Sequence, residues 1–343
     1  MSKTTVERIL EQVDGVAEGR TKLYFIVRSM KSDVKKKAKV LDKYQFKTYQ
    51  VDVDDDIRKE LYGTAKQSIT DLVQKEKEFH PFNVINDGQH TLLTYSMTNK
   101  VMSFKAVVEE QLPNQPTRIQ SLAEIVGYEE IWAYVIGMYT AEGKWIYAFR
   151  KILKSKVAVD PKENAEKSVL KRALRTYFNT TSQKLELIEG ETVVLDKQID
   201  CFYFEDSFYV HRQTQFEQIV GLEEEYHEQA KQVVTDLEAS ELFIGIEILK
   251  VSLADKPMHK RLVRLTELGL YQRVDSKALK KMSQIAKREG LVLKVEDGKF
   301  KLEDQSDVAL VIKMLCAYFK KDEVFGESYG TFSGKKLEKV AQT

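Results

Sequence analysis

Cysteine is scarce in this sequence of 343 residues. Only Cys201 and Cys316 are present, each within an apolar run, and neither belongs to a Cys-x-x-Cys motif. The five histidines lack the spacing of metal ligands, so the sequence indicates no zinc site. We therefore expect two buried, reduced thiols and no structural metal.

Long apolar runs are also missing. No stretch approaches the roughly 20 apolar residues that cross a bilayer. The first residues, MSKTTVER, contain no apolar core of the kind found in a signal peptide. Five prolines and 16 glycines argue against long disordered linkers. We expect a cytoplasmic protein whose association with a membrane, if it has one, is made through a partner.

The length of the chain predicts two domains, because single domains usually hold about 100–200 residues. We place the boundary near the short basic stretch 150–157. Residues 1–150 predict a mixed module of helices and antiparallel strands, with a candidate role in assembly or partner binding. Residues 151–343 predict a small antiparallel meander packed by helices. The expected fold class is α+β.

The second module is organised around a strand–turn–strand–helix pattern. Residues 199–210 alternate in the manner of a hairpin, with Glu205-Asp206 as the turn. Asp200 is unusual in so apolar a strand, because an unpaired buried carboxylate is costly. The segment 214–217, Thr-Gln-Phe-Glu, has the spacing of a capping box and predicts the start of a helix that covers the strands.

Charge is balanced overall but segregated along the chain. The 54 basic and 53 acidic side chains give a net charge of +1, so bulk charge predicts no nucleic-acid partner. The segments 150–184, 216–247 and 256–301 nevertheless carry +7, −8 and +8. Segregation on this scale favours an electrostatic role for at least one of these segments.

Three predicted helices of this half carry a basic face opposite an apolar one. These helices follow Asp160, Pro257 and Asp275. The faces are identified by placing successive residues about 100° apart around each helix axis. If the faces converge, they form a positive surface suited to a phosphate backbone. The residues predicted to bind DNA are Lys167, Lys171, Arg172, Arg175, Lys260, Arg261, Arg264, Lys277, Lys280, Lys281, Lys287 and Arg288.

Other interpretations of the charged segments stay open. Lysine outnumbers arginine on the basic faces and no recognition-helix motif is present, so contacts to phosphates are expected rather than base readout. Each basic face also fits an ordinary solvated helix surface. The acidic segment is either solvated as well, paired with a basic face of another molecule, or placed over the basic surface until activation.

The sequence offers little for catalysis. A restriction-type nuclease needs a strand acid followed by acid-x-Lys on the next strand, and Asp200 has no such follower. Glu142-Gly143-Lys144 fits the letters but lies at a predicted hairpin turn. Asp200 with His211 is the one candidate acid–base pair, and a polar tether within the sheet is the better interpretation. We expect no enzyme, no catalytic residue, no metal and no cofactor.

A set of residues in the second half resembles a known family. The set comprises Leu195, Ile199-Asp200-Cys201, Tyr203, Asp206, Tyr209, Phe216, Ile219, Gly221, Glu225-Tyr226, Ala230 and, near the end, Phe325-Gly326, Tyr329 and Ser333-Gly334-Lys335. In order and spacing these residues resemble the KwaB-like family of the Kiwa anti-phage defence system. The resemblance covers about residues 145–335.

The resemblance implies a soluble, non-enzymatic effector that forms homo-oligomers, binds DNA and works beside a small membrane protein, KwaA. With the basic faces, this predicts a bacterial defence protein that binds double-stranded DNA without sequence preference and blocks phage DNA processes. Its partner would recruit it to the inner membrane. The alternatives are a metal-dependent nuclease, or an interaction scaffold whose charge drives assembly without affinity for DNA.

Overall fold

The computed structural model describes residues 4–30, 44–75, 79–82, 84–85, 92–96, 102–114, 116–120, 124–125, 131–152, 176–179, 184–187, 195, 197–321 and 328–331. The helices within these ranges are α1 Thr5–Asp14, α2 Asp55–Lys75, α3 Met102–Ala106, α4 Gln213–Val220, α5 Leu222–Ala239, α6 Ile246–Val251, α7 Lys256–Leu268, α8 Ser276–Arg288 and α9 Gln305–Leu315. A π-helical turn, Val107–Gln111, continues α3.

The strands lie mostly in the first two thirds of the chain. They are β1 Thr21–Met30, β2 Tyr44–Val51, β3 His80–Pro81, β4 Leu93–Ser96, β5 Thr117–Ile119, β6 Ile131–Tyr139, β7 Trp145–Lys151, β8 Thr176–Asn179, β9 Lys184–Leu187, β10 Cys201–Phe204, β11 Ser207–Val210, β12 Phe243–Ile244, β13 Val295–Glu296, β14 Lys299–Lys301, β15 Phe319–Lys321 and β16 Ser328–Gly330. The pairs β8–β9 and β15–β16 form separate two-stranded ribbons.

Nine strands form one sheet that draws on both sides of residue 150. Its order is β3-β4-β11-β10-β7-β6-β1-β2-β5. Neighbours are antiparallel except at the two edges, where β3–β4 and β2–β5 are parallel. The hairpin β10–β11 lies between β7 and β4. The sheet therefore does not divide at residue 150, and the assignment of 1–150 and 151–343 to separate units stays a prediction.

Each face of this sheet carries its own core. In β1, Tyr24 and Ile26 belong to one core, whereas Leu23 and Phe25 belong to the other. This alternation is the two-residue period of a strand. The helices α1 and α2 cover one face, while α3, α4 and the start of α5 cover the opposite face. The sheet is consequently buried on both sides.

The C-terminal helices build a third core around the small sheet β12-β14-β13. Helix α5 connects it to the large sheet, because Tyr226 packs in a sheet core and Leu237 packs in the third core. Phe300 of β14 is fully buried at its centre. The β13–β14 hairpin turns at Asp297 and Gly298, whose φ angles of 52° and 75° are those that a type I′ turn requires.

The expected α+β class is confirmed, and so are the predicted hairpins over 131–149 and 199–210. The predicted start of a helix at 214–217 is confirmed to within one residue, but the capping box itself is wrong. Helix α4 begins at Gln213 after Arg212, which makes no side-chain cap. The reason is tertiary: Glu217 is buried and accepts hydrogen bonds from Gln213 and Tyr226, so its carboxylate is not available to the helix start.

Candidate nucleic-acid interface

Helix α8 is sharply defined at both ends. At its start, the Asp275 side chain accepts a hydrogen bond from the Ala278 N–H at 2.7 Å, as an N-cap residue does. At its end, Gly290 adopts a φ of 71° and the Leu291 N–H donates to the Ala286 carbonyl at 2.8 Å. This is the bonding pattern of a glycine-terminated helix. Both ends of α8 are therefore fixed by hydrogen bonds.

One side of α8 is exposed and basic. Leu279 and Ala286 are buried, Leu279 in the third core, whereas Lys277, Lys280, Lys281 and Lys287 are exposed. At about 100° per residue, these four lysines and Arg288 share an arc of roughly 120° opposite the buried residues. Within the part of the chain that the structure describes, none of the four lysines forms an ion pair. Arg288 contacts its neighbour Glu289 at 2.7 Å.

Helix α7 does not present its basic residues in this way. The Lys260 ammonium lies 2.5 Å from the buried Glu217 carboxylate, and it also lies 5.8 Å from the ring centroid of Tyr226. Burial raises the pKa of the Glu217 carboxyl, and the Lys260 ammonium opposes that shift. A cation held against a buried carboxylate is poorly placed to contact a phosphate.

The two arginines predicted on α7 are half-buried. The Arg264 guanidinium pairs with Glu267 at 2.8 Å, and its side chain is largely covered. The Arg261 carbonyl accepts a weak hydrogen bond from the Cys316 thiol at 3.5 Å, which places that turn of α7 against the end of α9. Lys260 is therefore held against α4, and Arg264 is paired within α7. Binding of DNA by Lys260, Arg261 and Arg264 stays a prediction.

The predicted basic face after Asp160 lies outside the described residues. Its members are Lys167, Lys171, Arg172 and Arg175. Binding of DNA by these four residues stays a prediction.

The acidic segment is compensated within the chain. Several of its carboxylates lie against side-chain nitrogens of the same molecule. The pairs are Glu223 with Lys256 at 3.3 Å, Glu224 with Arg28 at 3.8 Å, Glu228 with Lys231 at 2.9 Å and Glu238 with Lys250 at 2.8 Å. Cations of β1, α6, α7 and α5 itself therefore lie against four carboxylates of α5, and Lys260 lies against Glu217 of α4.

The lysines of the small hairpin are paired as well. Lys294 lies 2.9 Å from both Glu303 and Asp307, and these carboxylates raise the pKa of its ammonium. Lys301 lies 2.8 Å from Glu296, and Lys299 lies 3.8 Å from Glu241. All three lysines belong to the segment 256–301, which carries a net charge of +8. In the fold, the uncompensated part of that charge is concentrated on α8.

The candidate catalytic pair is arranged as a structural tether. The Asp200 carboxylate is fully buried. It accepts hydrogen bonds from the Arg150 guanidinium at 2.5 Å and from the Lys151 N–H at 2.7 Å, and it lies 4.0 Å from the Arg212 guanidinium. Burial raises the pKa of this carboxyl, and the hydrogen bonds from β7 oppose the shift. The His211 N–H donates to the Asp200 carbonyl at 3.0 Å, while the imidazole is on an exposed residue.

Among the described residues, no group of three or more His, Cys, Asp or Glu side chains is arranged to hold a metal ion. None of the described helices combines the length and the apolar character needed to cross a membrane.

A family model decides the relationship that the residue pattern suggested. The model described as Kiwa protein KwaB-like matches residues 128–321, which are 194 of the 343 residues. The chain belongs to the KwaB-like family. Membership places it in Kiwa anti-phage defence, a system of more than one component. No curated protein and no solved structure matches the chain.

The KwaB-like region differs in extent from the resemblance read in the sequence. It begins at residue 128 and so takes in the central strands β6 and β7. It ends at Lys321, so the segment 325–335 lies beyond the match. The whole of α8 lies inside it, together with its buried neighbours in the third core.

Two features of the KwaB-like region were missed by sequence reasoning. The first surrounds Trp132, whose ring centroid lies 3.5 Å from the Arg28 guanidinium carbon and 3.6 Å from the Lys151 ammonium. The Trp132 indole N–H donates to the Gln218 carbonyl at 3.1 Å. Cations over an indole are attracted by its π-face, and this cluster ties β1, β6 and β7 to the end of α4. No local sequence pattern indicates these contacts, because Arg28, Trp132 and Gln218 lie far apart in the chain.

The second is a pair of histidines between α5 and α7. His227 Nδ1 lies 3.1 Å from His259 Nε2, which is also 2.8 Å from the Leu253 carbonyl. A carbonyl only accepts, so His259 Nε2 carries a hydrogen and His227 Nδ1 is an acceptor. The two histidines are 32 positions apart in the sequence, and their spacing does not predict the contact.

Proposed function

We propose that this KwaB-like chain binds double-stranded DNA without sequence preference through the exposed lysines of α8. Binding to the duplex obstructs phage DNA processes, and this is the contribution of the chain to Kiwa defence. The proposal narrows the predicted interface from twelve residues on three helices to α8, with Lys277, Lys280, Lys281 and Lys287 as its main contacts.

The observation that carries the proposal is the difference in charge compensation between α8 and its surroundings. Cations of α7 and of the β13–β14 hairpin lie against carboxylates of the same chain. The four lysines of α8 are exposed and make no ion pair among the described residues. An uncompensated lysine can displace the counterions of a phosphate, which is the main source of non-specific affinity for DNA.

The chemistry of α8 favours phosphates over bases. Lysine presents a compact charge on a flexible stem, whereas base readout relies on planar, bidentate groups such as arginine or asparagine. From Lys277 to Arg288 the helix rises by about 16 Å. That length allows contact with several successive phosphates. We therefore expect similar affinities for duplexes of unrelated sequence.

The experiment titrates the wild type and the double variant Lys280→Gln/Lys281→Gln into a fluorescently labelled DNA duplex at several salt concentrations. The wild-type plot of log affinity against log salt should be linear, with a slope of about −0.9 for each phosphate contacted. Loss of two contacts should weaken binding and reduce the magnitude of the slope by roughly 1.8. The loss should be the same for duplexes of different sequence.

The matched control is Lys59→Gln/Lys75→Gln, which removes two exposed lysines of α2 and changes the net charge equally. Its slope and affinity should equal those of the wild type. If both double variants weaken binding alike, the effect reflects overall charge and the assignment to α8 is wrong. If neither the wild type nor the variants bind, the interaction-scaffold alternative is favoured.

We propose further that the chain acts on DNA without cutting it. Support comes from Asp200, whose carboxylate is occupied by Arg150 and by a backbone N–H and is shielded from solvent. The same titration mixtures, incubated with magnesium or manganese and run on a denaturing gel, supply the test. Duplex recovered at full length agrees with the proposal, and fragments would favour a metal-dependent nuclease.

The remaining parts of the proposal concern partners. We propose that the chain forms homo-oligomers and is recruited to the inner membrane by KwaA, with residues 1–150 as the candidate partner-binding part. Family membership in a multi-component system supports a partner. Fractionation of cells with and without KwaA is the test. Recovery of the chain with membranes in both cases alike would contradict recruitment by KwaA.

A further inference from the structure

We propose that α8 and the segment that follows it, residues 291–295, form a surface that contacts an anionic lipid bilayer directly. The observation behind this inference is a group of exposed aliphatic side chains that directly follows α8, the helix whose four exposed lysines make no ion pair among the described residues. It goes beyond the proposed binding of DNA, because a phosphate backbone gives the aliphatic side chains no partner.

Exposed aliphatic residues are concentrated after α8. Among the described residues only six large hydrophobic side chains are exposed, and three of them lie within these five positions. They are Leu291, Val292 and Val295, with exposed fractions of 40%, 76% and 39%. Single exposed hydrophobic residues are common on proteins, but a cluster of them marks an interaction surface.

The first residue of the cluster is held at the end of α8, near Lys287. The Leu291 N–H bonds to the Ala286 carbonyl at 2.8 Å, so Leu291 sits on the last turn of α8, which also carries Lys287. A residue in this position usually packs back against its helix, yet Leu291 remains substantially exposed. Val295 lies on β13, the outer strand of the small sheet.

The other exposed aliphatic residues of the helices have a different setting. Val251 is 67% exposed, but the adjacent Lys250 is paired with Glu238 and Glu247 at 2.8 Å each. Ile57 is next to Arg58, which is paired with Asp55. Leu291 and Val292 differ because they directly follow the turn of α8 that carries Lys287, which makes no ion pair among the described residues. Lys294, next to Val295, is paired with Glu303 and Asp307.

This combination fits a lipid surface. Lysines are attracted to anionic headgroups, and their apolar stems allow the ammonium to reach the headgroup level. Aliphatic side chains gain free energy when they enter the boundary between headgroups and acyl chains. The side chains protrude, which suits a deformable surface, whereas a protein partner would need a pocket shaped to receive them.

The test uses the full chain and lipid vesicles without any partner protein. Co-sedimentation is measured with neutral phosphatidylcholine vesicles and with vesicles that contain about 30% phosphatidylglycerol, a typical anionic fraction. We expect binding to the anionic vesicles only. The variant Leu291→Ser/Val292→Ser should lower the partition coefficient about tenfold, because two aliphatic groups lose their burial.

Two controls separate this inference from the proposed function. Val251→Ser removes a similarly exposed valine and should leave vesicle binding unchanged. Leu291→Ser/Val292→Ser should retain its affinity for duplex DNA, because all the lysines remain. Circular dichroism of each variant checks that the fold is intact.

The inference is overturned if the wild type does not bind anionic vesicles or if it binds neutral vesicles equally well. It is also overturned if Leu291→Ser/Val292→Ser has the same partition coefficient as the wild type. In each of these cases the binding of DNA, measured in parallel, still decides the proposed function independently. One combination of results would support the nucleic-acid function and reject the lipid surface. In it, Lys280→Gln/Lys281→Gln loses binding to DNA, and Leu291→Ser/Val292→Ser binds vesicles as the wild type does.

Discussion

Asp200 joins β7 to the β10–β11 hairpin through both its backbone and its side chain. Its backbone N–H donates to the Phe149 carbonyl, its carbonyl accepts from His211 and Arg212, and its carboxylate accepts from Arg150. A buried carboxylate of this kind is tolerated only when charge and hydrogen bonds compensate for the lost water. The Arg150 guanidinium and the Lys151 N–H supply this compensation, which explains how an acid can occupy a buried position directly before the apolar strand β10.

Arg150→Met tests this role. The substitution leaves the Asp200 carboxylate buried without its main cation, so we expect a loss of about 3–5 kcal/mol in the free energy of unfolding. Urea denaturation followed by circular dichroism measures it. The double variant Arg150→Met/Asp200→Asn, which removes the uncompensated charge, should recover part of the loss. Equal stability of the single variant and the wild type would show that the ion pair contributes little.

At the scale of elements, the junction of α4 with α7 fixes the position of one predicted DNA contact, Lys260. Glu217 of α4 is buried beside Lys260 of α7, and Gln213 donates to the same carboxylate at 3.1 Å. Burial is the larger influence and raises the pKa of Glu217. The ionised carboxylate therefore costs folding free energy at neutral pH, even with the lysine beside it.

The pH dependence of stability should show this cost. Because the folded pKa of Glu217 lies above the unfolded value, the folded state holds the proton more tightly. Stability from this group therefore increases as the pH falls from the folded towards the unfolded pKa, by at most about 1.4 kcal/mol per pH unit. Glu217→Gln lacks this titration. Urea denaturation at several pH values should show the wild type gaining on the variant as the pH falls, and parallel curves would contradict the assignment.

Local signals predicted α8 well and its relation to α7 poorly. Asp275 as a cap, Gly290 after the last turn and the spacing of Leu279 and Ala286 lie within one short stretch, so the helix and its basic face could be read directly. The partner of Lys260 lies 43 positions earlier and on another helix. No local pattern encodes such a contact, because it depends on the packing of α4, α5 and α7.

The same distinction applies to the sheet. The hairpins β6–β7 and β10–β11 were predictable, because each is a contiguous pattern of alternating residues around a turn. Their union into one sheet, with β10 beside β7 and β11 beside β4, joins segments from both sides of residue 150. Pairing of this kind is decided by the burial of both faces, which the sequence of one strand does not specify.

Over the described residues of the whole molecule, much of the charge of the −8 segment is compensated by folding. Glu217 and Glu223 lie against Lys260 and Lys256 of the +8 segment, and Arg28 and Lys250 contribute further cations. Within the described residues, the α8 lysines stand apart from this compensation. A chain with a net charge of +1 can therefore still offer a local positive surface to a polyanion.

The most direct test of that claim is a footprint of duplex DNA on the lysines of the intact chain. Acetylation rates of individual lysines are measured by mass spectrometry with and without DNA. We predict that DNA slows the modification of Lys277, Lys280, Lys281 and Lys287, and leaves the rates at Lys59 and Lys75 of α2 unchanged. Equal rates at the four α8 lysines, under conditions where the DNA is demonstrably bound, would contradict the account.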